Sequence, residues 1–336
     1  MAVSVSLKKL AEILGLAPST VSRALKGHPD ISRATQERVR ALAQELHYKP
    51  SELALSLRNK RSNSIAMLVP FLGNYFYACA VSSVIRSAYS SGYKVIVFEN
   101  GEDYEQEVKI CQFLQKSGID GLVVAPARTT NDLDHFVKLQ HEGIPMVFFD
   151  RICTGILTDR VVVDDYAGVC SAVEYLIRSG CRRIAFFGSP SHLAISNNRR
   201  MGYEDALRKN GLPVDKELIK ICDNYTEALR LTPELLSLPN RPDAFFAVND
   251  ETAIGVLNVV KAKGLRIPDE VSICGFTNNS LAEVSDPLLT SVDQHGYELG
   301  AIAMRLLIER LNGVRDGDRI VSKIIKTNLV VRQSTR

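Results

Sequence analysis

Ser6-Leu-Lys-Lys-Leu10-Ala-Glu-Ile-Leu14-Gly15-Leu-Ala17-Pro18-Ser19-Thr20-Val21-Ser22-Arg23-Ala24-Leu25 decides the fold of the N-terminal part of the chain. Leu7, Leu10, Ala11 and Leu14 recur at the spacing of one helix face, with Ser6 placed to cap it and Gly15 to end it. Val21, Ala24 and Leu25 repeat that spacing after a break too short for anything but a tight turn, so the second helix folds back on the first. Pro18 suits its first position, where a missing N–H costs nothing. A third helix, capped by Ser32, supplies Val39, Leu42, Ala43 and Leu46 to close a small core. Residues 1–50 are thus expected to form an all-α helix-turn-helix head.

Stripes of this kind occur in any three-helix bundle, and charge shows what this one meets. Through residue 62 there are 11 Lys/Arg and 5 Asp/Glu, a net of +6; the whole chain carries 41 and 38, so the remainder is at −3. A basic head on a mildly acidic body is the electrostatic footprint of a nucleic-acid-binding module. Ser19, Thr20, Ser22 and Arg23 leave the outer face of the second helix short and polar with one long cation, which suits entry into the major groove.

At 336 residues, 46% hydrophobic and 24% charged, the chain has room for the head and two further domains. The opening Met1-Ala-Val-Ser-Val-Ser-Leu-Lys-Lys9 is unlike a signal peptide and no long apolar run follows, so a cytoplasmic protein without membrane contact is expected. Cys79, Cys111, Cys153, Cys170, Cys181, Cys222 and Cys274 are scattered singly, as reduced buried thiols would be, and no metal or cofactor is expected.

Pro50 ends the third helix. Residues 51–58 favour a helix but give it only two turns, and 59–62 are polar and basic, so 51–62 reads as a hinge helix and linker. From Ser64 onward apolar runs of strand length (65–69, 95–98, 122–125, 146–149, 161–163, 184–187, 218–221, 244–248, 271–276) alternate with amphipathic stretches. That pattern means parallel sheets covered by helices on both faces. The count is too large for one comfortable sheet, so two doubly wound subdomains are expected, with a ligand cleft at the carboxyl ends of their strands. Residues 71–76, 100, 126–128, 150–151, 189–199, 249–250 and 277–278 then face the cleft.

The chain resembles, nearly end to end, the LacI/GalR family of bacterial transcription regulators. The resemblance lies in Thr20-Val-Ser-Arg23, Leu46-His-Tyr-Lys-Pro50, Gly143-Ile-Pro-Met-Val-Phe-Phe-Asp150-Arg, Arg199-Arg-Met-Gly-Tyr203, Ala247-Val-Asn-Asp250 and Pro287-Leu-Leu-Thr-Ser-Val292. It implies a homodimer on a pseudo-palindromic operator, most often acting as a repressor. Bases would be read by Pro18, Ser19 and Arg23, and phosphates held by Thr20, Ser22, Ser32, Thr35 and Tyr48. Ala17 departs from the Ser usual there, which removes a side-chain cap and a phosphate contact. Ala54 and Leu57 would belong to a hinge helix that wedges the minor groove.

The body resembles periplasmic sugar-binding proteins, with an N-subdomain of about 63–162 and 294–326 and a C-subdomain of about 163–293 and 327–336. The resemblance places effector contacts at Tyr75, Phe76, Asp150, Arg199, Tyr225, Asn249 and Thr277. Carboxylate, amide and guanidinium groups beside aromatic rings suit a sugar. Thr277 stands where a carboxylate is common, which leaves nucleobases and sugar phosphates open; a phosphate would need Arg128 or Arg151 besides Arg199. A transporter's solute receptor would carry a signal peptide and no basic head. An enzyme would show a nucleotide loop, a nucleophile elbow or a metal-spaced His/acid pair, and none is present; His135 and His141 read as solvated.

Overall fold

The computed structural model describes residues 5–48, 62–153, 155–190, 193–314 and 319–336; the expected hinge residues Ala54 and Leu57 lie outside them. The chain divides into a head, Met1–Asn63, and a body, Ser64–Arg336. Among the described residues no helix is long and apolar enough to cross a membrane.

The head holds α1 (Leu7–Leu14), α2 (Pro18–Leu25) and α3 (Arg33–Glu45). Ser6 accepts a hydrogen bond from the Lys9 amide, and Gly15, at φ 65°, takes the left-handed conformation that ends α1. Ala17 precedes α2 without any side-chain cap. Leu10, Ala11, Leu14, Val21, Ala24, Val39 and Ala43 form the core, with Leu42 and Leu46 packed at its edge. Arg38 donates to the Leu14 carbonyl at 2.9 Å and so ties α3 to the end of α1.

The body is built on two six-stranded sheets. The first comprises β1 (Ser64–Val69), β2 (Lys94–Glu99), β3 (Gly121–Val124), β4 (Met146–Phe149), β5 (Asp159–Val163) and β11 (Ser322–Ile325), all parallel, in the order β11-β5-β4-β3-β1-β2. The second comprises β6 (Ile184–Gly188), β7 (Ile219–Ile221), β8 (Ala244–Ala247), β9 (Ser272–Thr277), β10 (Thr290–Asp293) and β12 (Asn328–Val330), in the order β12-β10-β9-β8-β6-β7. In it only the β10–β12 pair is antiparallel.

Strand residues alternate between two cores, which is why central strands read as unbroken apolar runs. In the first sheet Ile65, Met67 and Val69 face α4 (Tyr75–Ser90) and α12 (Gly296–Leu311), while Ala66 and Leu68 face α5 (Tyr104–Ser117) and α6 (Asp134–His141). In the second, Ala185 and Phe187 pack toward α9 (Tyr225–Leu236) and α10 (Asp250–Ala262); Ile184 and Phe186 pack toward α7 (Asp165–Arg178) and α8 (Ala194–Lys209). Gly300 lets α12 lie against α4: a Cβ there would sit 2.4 Å from the Ala80 carbonyl oxygen. A short helix, α11 (Ser280–Val284), follows β9.

Three times the chain passes from one sheet to the other: after β5, after β10 and between β11 and β12. Both lobes are therefore assembled from separated stretches of sequence. β10 and β11 were not expected as strands; three of four residues in Thr290-Ser-Val-Asp293 and two of four in Ser322-Lys-Ile-Ile325 are polar, and β11 lies at a sheet edge.

Candidate functional site

On the head, Pro18, Ser19 and Arg23 are exposed, and Ser19 and Arg23 stand one turn apart on the same side of α2. Among the described residues Arg23 forms no ion pair. Thr20 and Ser22 are half-buried beside them. The Ser32 and Thr35 hydroxyls lie 2.9 Å apart at the start of α3, and Ser32 also caps the Thr35 amide. Tyr48 packs at the margin of the head core, where burial raises its phenol above the ordinary value.

In the body a cavity of about 310 Å³ lies between the lobes at the carboxyl ends of the strands. The first sheet contributes Phe71, Phe76 and Tyr77 after β1, Glu102 after β2, Arg128 after β3 and Asp150-Arg151 after β4. From the second come Ser189 after β6, Asp223-Asn224 after β7, Val248-Asn249 after β8 and Thr277 at the end of β9, with Ile195 and Arg199 on α8. Gln294 lines it from one of the passages between lobes.

Asp150 sits at φ 60° and accepts a 2.7 Å hydrogen bond from the Tyr77 hydroxyl. Burial raises its carboxyl above the usual range, against the opposing influence of Arg151 and of Tyr77. Arg199 is buried: its Nε donates to Asp165 at 2.8 Å, one terminal nitrogen donates to the Val248 carbonyl at 2.8 Å, and the guanidinium lies 4.1 Å from the centre of the Phe276 ring. It remains on the cavity wall with N–H groups to spare. Asp165 is pushed up to about 6 by burial, although Arg199 pulls the other way.

Asn249 uses both ends of its amide, accepting from the Thr252 amide to cap α10 and donating to the Asp223 carbonyl across 2.7 Å. Thr277 has φ 121°, rare for a β-branched residue, and its hydroxyl donates to Gln294 at 2.9 Å. With Asn278 at φ 55° it makes a strained corner where the second sheet meets the passage to the first.

Two expected contacts fall elsewhere. Tyr75 faces a separate surface cavity with Cys79, Glu283 and Tyr297; one position further along α4, Phe76 turns into the cleft. Tyr225 lies outside the cleft, where its hydroxyl accepts from Asn258 at 3.0 Å, and its neighbour Asn224 lines the wall instead. His135 is also corrected. It is buried rather than solvated, with Nε2 3.0 Å from the Glu107 carboxylate; His141 is exposed. Cys79 and Cys153 are half-buried and the other five cysteines buried, all as free thiols.

Sequence reading passed over Glu107, which is fully buried behind the cleft. One of its oxygens accepts from Asn100 Nδ2 at 3.0 Å and from the Ala127 amide at 2.7 Å; the other accepts from Thr130 Oγ1 at 2.6 Å and from His135. It thereby fixes the two loops that carry Glu102 and Arg128. Asp250 does similar work in the other lobe, accepting from the Asn279 amide at 2.7 Å and the Ser291 hydroxyl at 2.5 Å. Burial pushes Asp250 up to about 7, only partly opposed by those two hydrogen bonds.

A helix-turn-helix head preceding a two-lobed body with a polar cleft is the architecture of a ligand-responsive, DNA-binding regulator. Residues 6–51 match the bacterial regulatory proteins of the lacI family, and 173–335 match the periplasmic binding protein-like domain. The HTH-type transcriptional repressor CytR of Escherichia coli (strain K12) is 30% identical over 98% of this chain and 96% of its own. Among solved structures, a complex of the transcriptional regulator CelR with cellobiose has a TM-score of 0.75 at 27% identity, covering 98% of this chain and 99% of that one. The Lac repressor dimer bound to operator and the anti-inducer ONPF has a TM-score of 0.85 over 99% of each chain at 22% identity, a likeness of fold. The chain belongs to the LacI family of bacterial regulatory proteins and is a transcriptional regulator, not an enzyme.

Proposed function

We propose that this protein is a repressor that binds a pseudo-palindromic operator as a homodimer and is controlled by a small-molecule effector of the saccharide class. The observation that carries the reading is the convergence of Asp150, Arg199 and Asn249 on one cavity beside Phe76 and Tyr77. Carboxylate and guanidinium groups satisfy paired hydroxyls, while ring faces cover the apolar side of a sugar. The structural relative solved in complex with cellobiose supports the same class.

On the head, Arg23 is suited to grip a guanine, with Ser19 making a short adaptable contact. Thr20, Ser22, Ser32, Thr35 and Tyr48 would hold phosphates, and Ala54 and Leu57 would enter the minor groove. Ligand that prefers one angle between the lobes shifts the separation of the two hinge segments, with a coupling of about 1–3 kcal/mol.

The test is thermal denaturation of the full-length protein in the presence of mono- and disaccharides, with nucleobases as the competing class. A saccharide at one hundred times its dissociation constant stabilises by about 2.7 kcal/mol. Asp150→Ala should abolish that stabilisation while leaving operator affinity intact. A nucleobase hit, or a saccharide response unchanged in the variant, would overturn the assignment.

A further inference from the structure

The cleft holds three arginines, and their partners decide what it accepts. Arg151 is engaged by Glu102 through two hydrogen bonds, 2.5 Å and 2.8 Å, and by the Pro126 carbonyl at 3.1 Å. Arg128 lies 3.7 Å from Glu102 Oε1, an oxygen that Arg151 also holds, and 3.5 Å from Asp223 on the opposite lobe, while its own amide donates to Glu102 Oε2 at 2.8 Å. Arg199 is paired with Asp165. Asp150 and Glu251 also line the cavity, so Arg128, Arg151 and Arg199 face Glu102, Asp150, Asp165, Asp223 and Glu251. Acids outnumber cations.

The N-termini of α4, α9 and α10, which open on the cavity, do not reverse this balance, while that of α8, after cavity-lining Leu193, has no side-chain cap. Asn74, Asn224 and Asn249 already occupy an amide in the first turns of α4, α9 and α10. Burial by itself would raise the Glu102 carboxyl, but Arg151 and Arg128 outweigh it and hold Glu102 below the ordinary range, as an ionised partner should be. Buried Arg151 Nε has no hydrogen-bond partner among the described residues, which offers one N–H to a neutral oxygen without offering a free charge.

We propose that Glu102 is a specificity gate: by neutralising Arg151 and Arg128 it makes the cleft reject phosphate- and carboxylate-bearing molecules and confines the effector to uncharged polyols. The inference rests on the reading of the cleft as the effector site, and it names what that site excludes. A phosphate entering here would have to break a bidentate carboxylate pair and then meet Asp150 and Glu251 unneutralised.

Calorimetric titration of the full-length protein with inorganic phosphate and pyrophosphate at fixed ionic strength tests it. Binding to the basic head is common to all variants and cancels in the comparison. Glu102→Gln keeps the side-chain shape and should gain saturable anion binding at least about tenfold tighter than wild type, as expected for one freed charge-assisted contact. The gain should vanish in the Glu102→Gln/Arg151→Met double variant. Asp223→Asn, which loosens Arg128 from the other side, should give a smaller gain and serves if Glu102→Gln does not fold. Wild-type protein that binds phosphate through Arg151, or folded variants that gain nothing, would overturn the gate. The two readings fail separately: a sugar phosphate bound more tightly than its parent sugar refutes the gate and leaves the effector site standing, whereas anion binding gained in Glu102→Gln without any saccharide response supports the gate and refutes the saccharide assignment.

Discussion

Replacing Glu107 by Ala should destabilise the body far more than a glutamate on a helix normally could. The carboxylate lies fully buried and accepts from Asn100 Nδ2, the Ala127 amide, Thr130 Oγ1 and His135 Nε2. Each donor left unsatisfied in the interior costs about 1–3 kcal/mol. Thr130 can turn toward water, but Asn100 is fully buried with its Oδ1 held by the Glu102 amide, the Ala127 amide is fixed by the backbone and His135 is wedged against Phe136, with ring centres 4.0 Å apart. Allowing for that one escape, the three remaining donors put the loss at about 3–9 kcal/mol. Glu107→Gln keeps one accepting oxygen but turns an N–H toward two donors, so it should cost roughly half as much.

Urea denaturation of the full chain, followed by circular dichroism, measures both, with exposed Glu105 replaced by Ala as the control on the same helix turn. Because the bonds from Glu107 hold the loops bearing Glu102 and Arg128, ligand affinity should also fall although Glu107 does not touch the cavity. A Glu107→Ala unfolding free energy within about 1 kcal/mol of wild type would refute the reasoning, since the four donors would then have to find partners at almost no cost.

Arg23→Ala should remove discrimination among operator sequences, worth about 1–3 kcal/mol, while salt-dependent binding to any duplex persists; competition between a selected operator and scrambled DNA measures it, and equal loss on both would refute a base-reading role. Asp250 has a folded-state pKa of about 7, above its unfolded value, so its proton favours the folded state at low pH. Stability from this group is therefore lost as pH rises from about 4 through about 7, and Asp250→Asn should flatten, though not abolish, the fall in melting temperature between those limits, because Asp165 contributes with the same sign. An unchanged slope would exclude Asp250 as a source.

The alternation of apolar strands and amphipathic helices was legible because both sheets are covered on both faces, so strand after strand reads as unbroken Val, Ile, Leu and Phe. Polarity hid β10 and β11. Within the cleft, position after a strand was a sound guide to the wall but not to individual side chains. On α4, Tyr75, Phe76 and Tyr77 are consecutive aromatics, and only the helical turn of about 100° per residue decides that Tyr75 looks away. Tyr225 and Asn224 differ by the same single step. Glu107 could not be found at all: its partners lie 7 to 28 residues away in sequence, and a lone glutamate in an amphipathic helix looks like a surface charge. The same distance effect hid the pairing of Arg151 with Glu102, 49 residues apart, which turns an apparent phosphate ligand into one half of a closed pair.

The three passages between the lobes have a mechanical consequence. Each is very short: Asp164 alone separates β5 from α7, two residues separate β10 from α12, and two more separate β11 from β12. They run from β5 to α7, from β10 to α12 and from β11 to β12, and β5 and β11 are neighbours at one edge of the first sheet as β10 and β12 are in the second. A single tether would let the lobes swivel and slide in any direction. Three abreast behave as a strip, which bends readily about the line across its width and resists both twist and shear. Whatever fills the cleft can consequently move the lobes along essentially one coordinate, so that ligands of different shape can differ in how far they drive the movement but not in its direction.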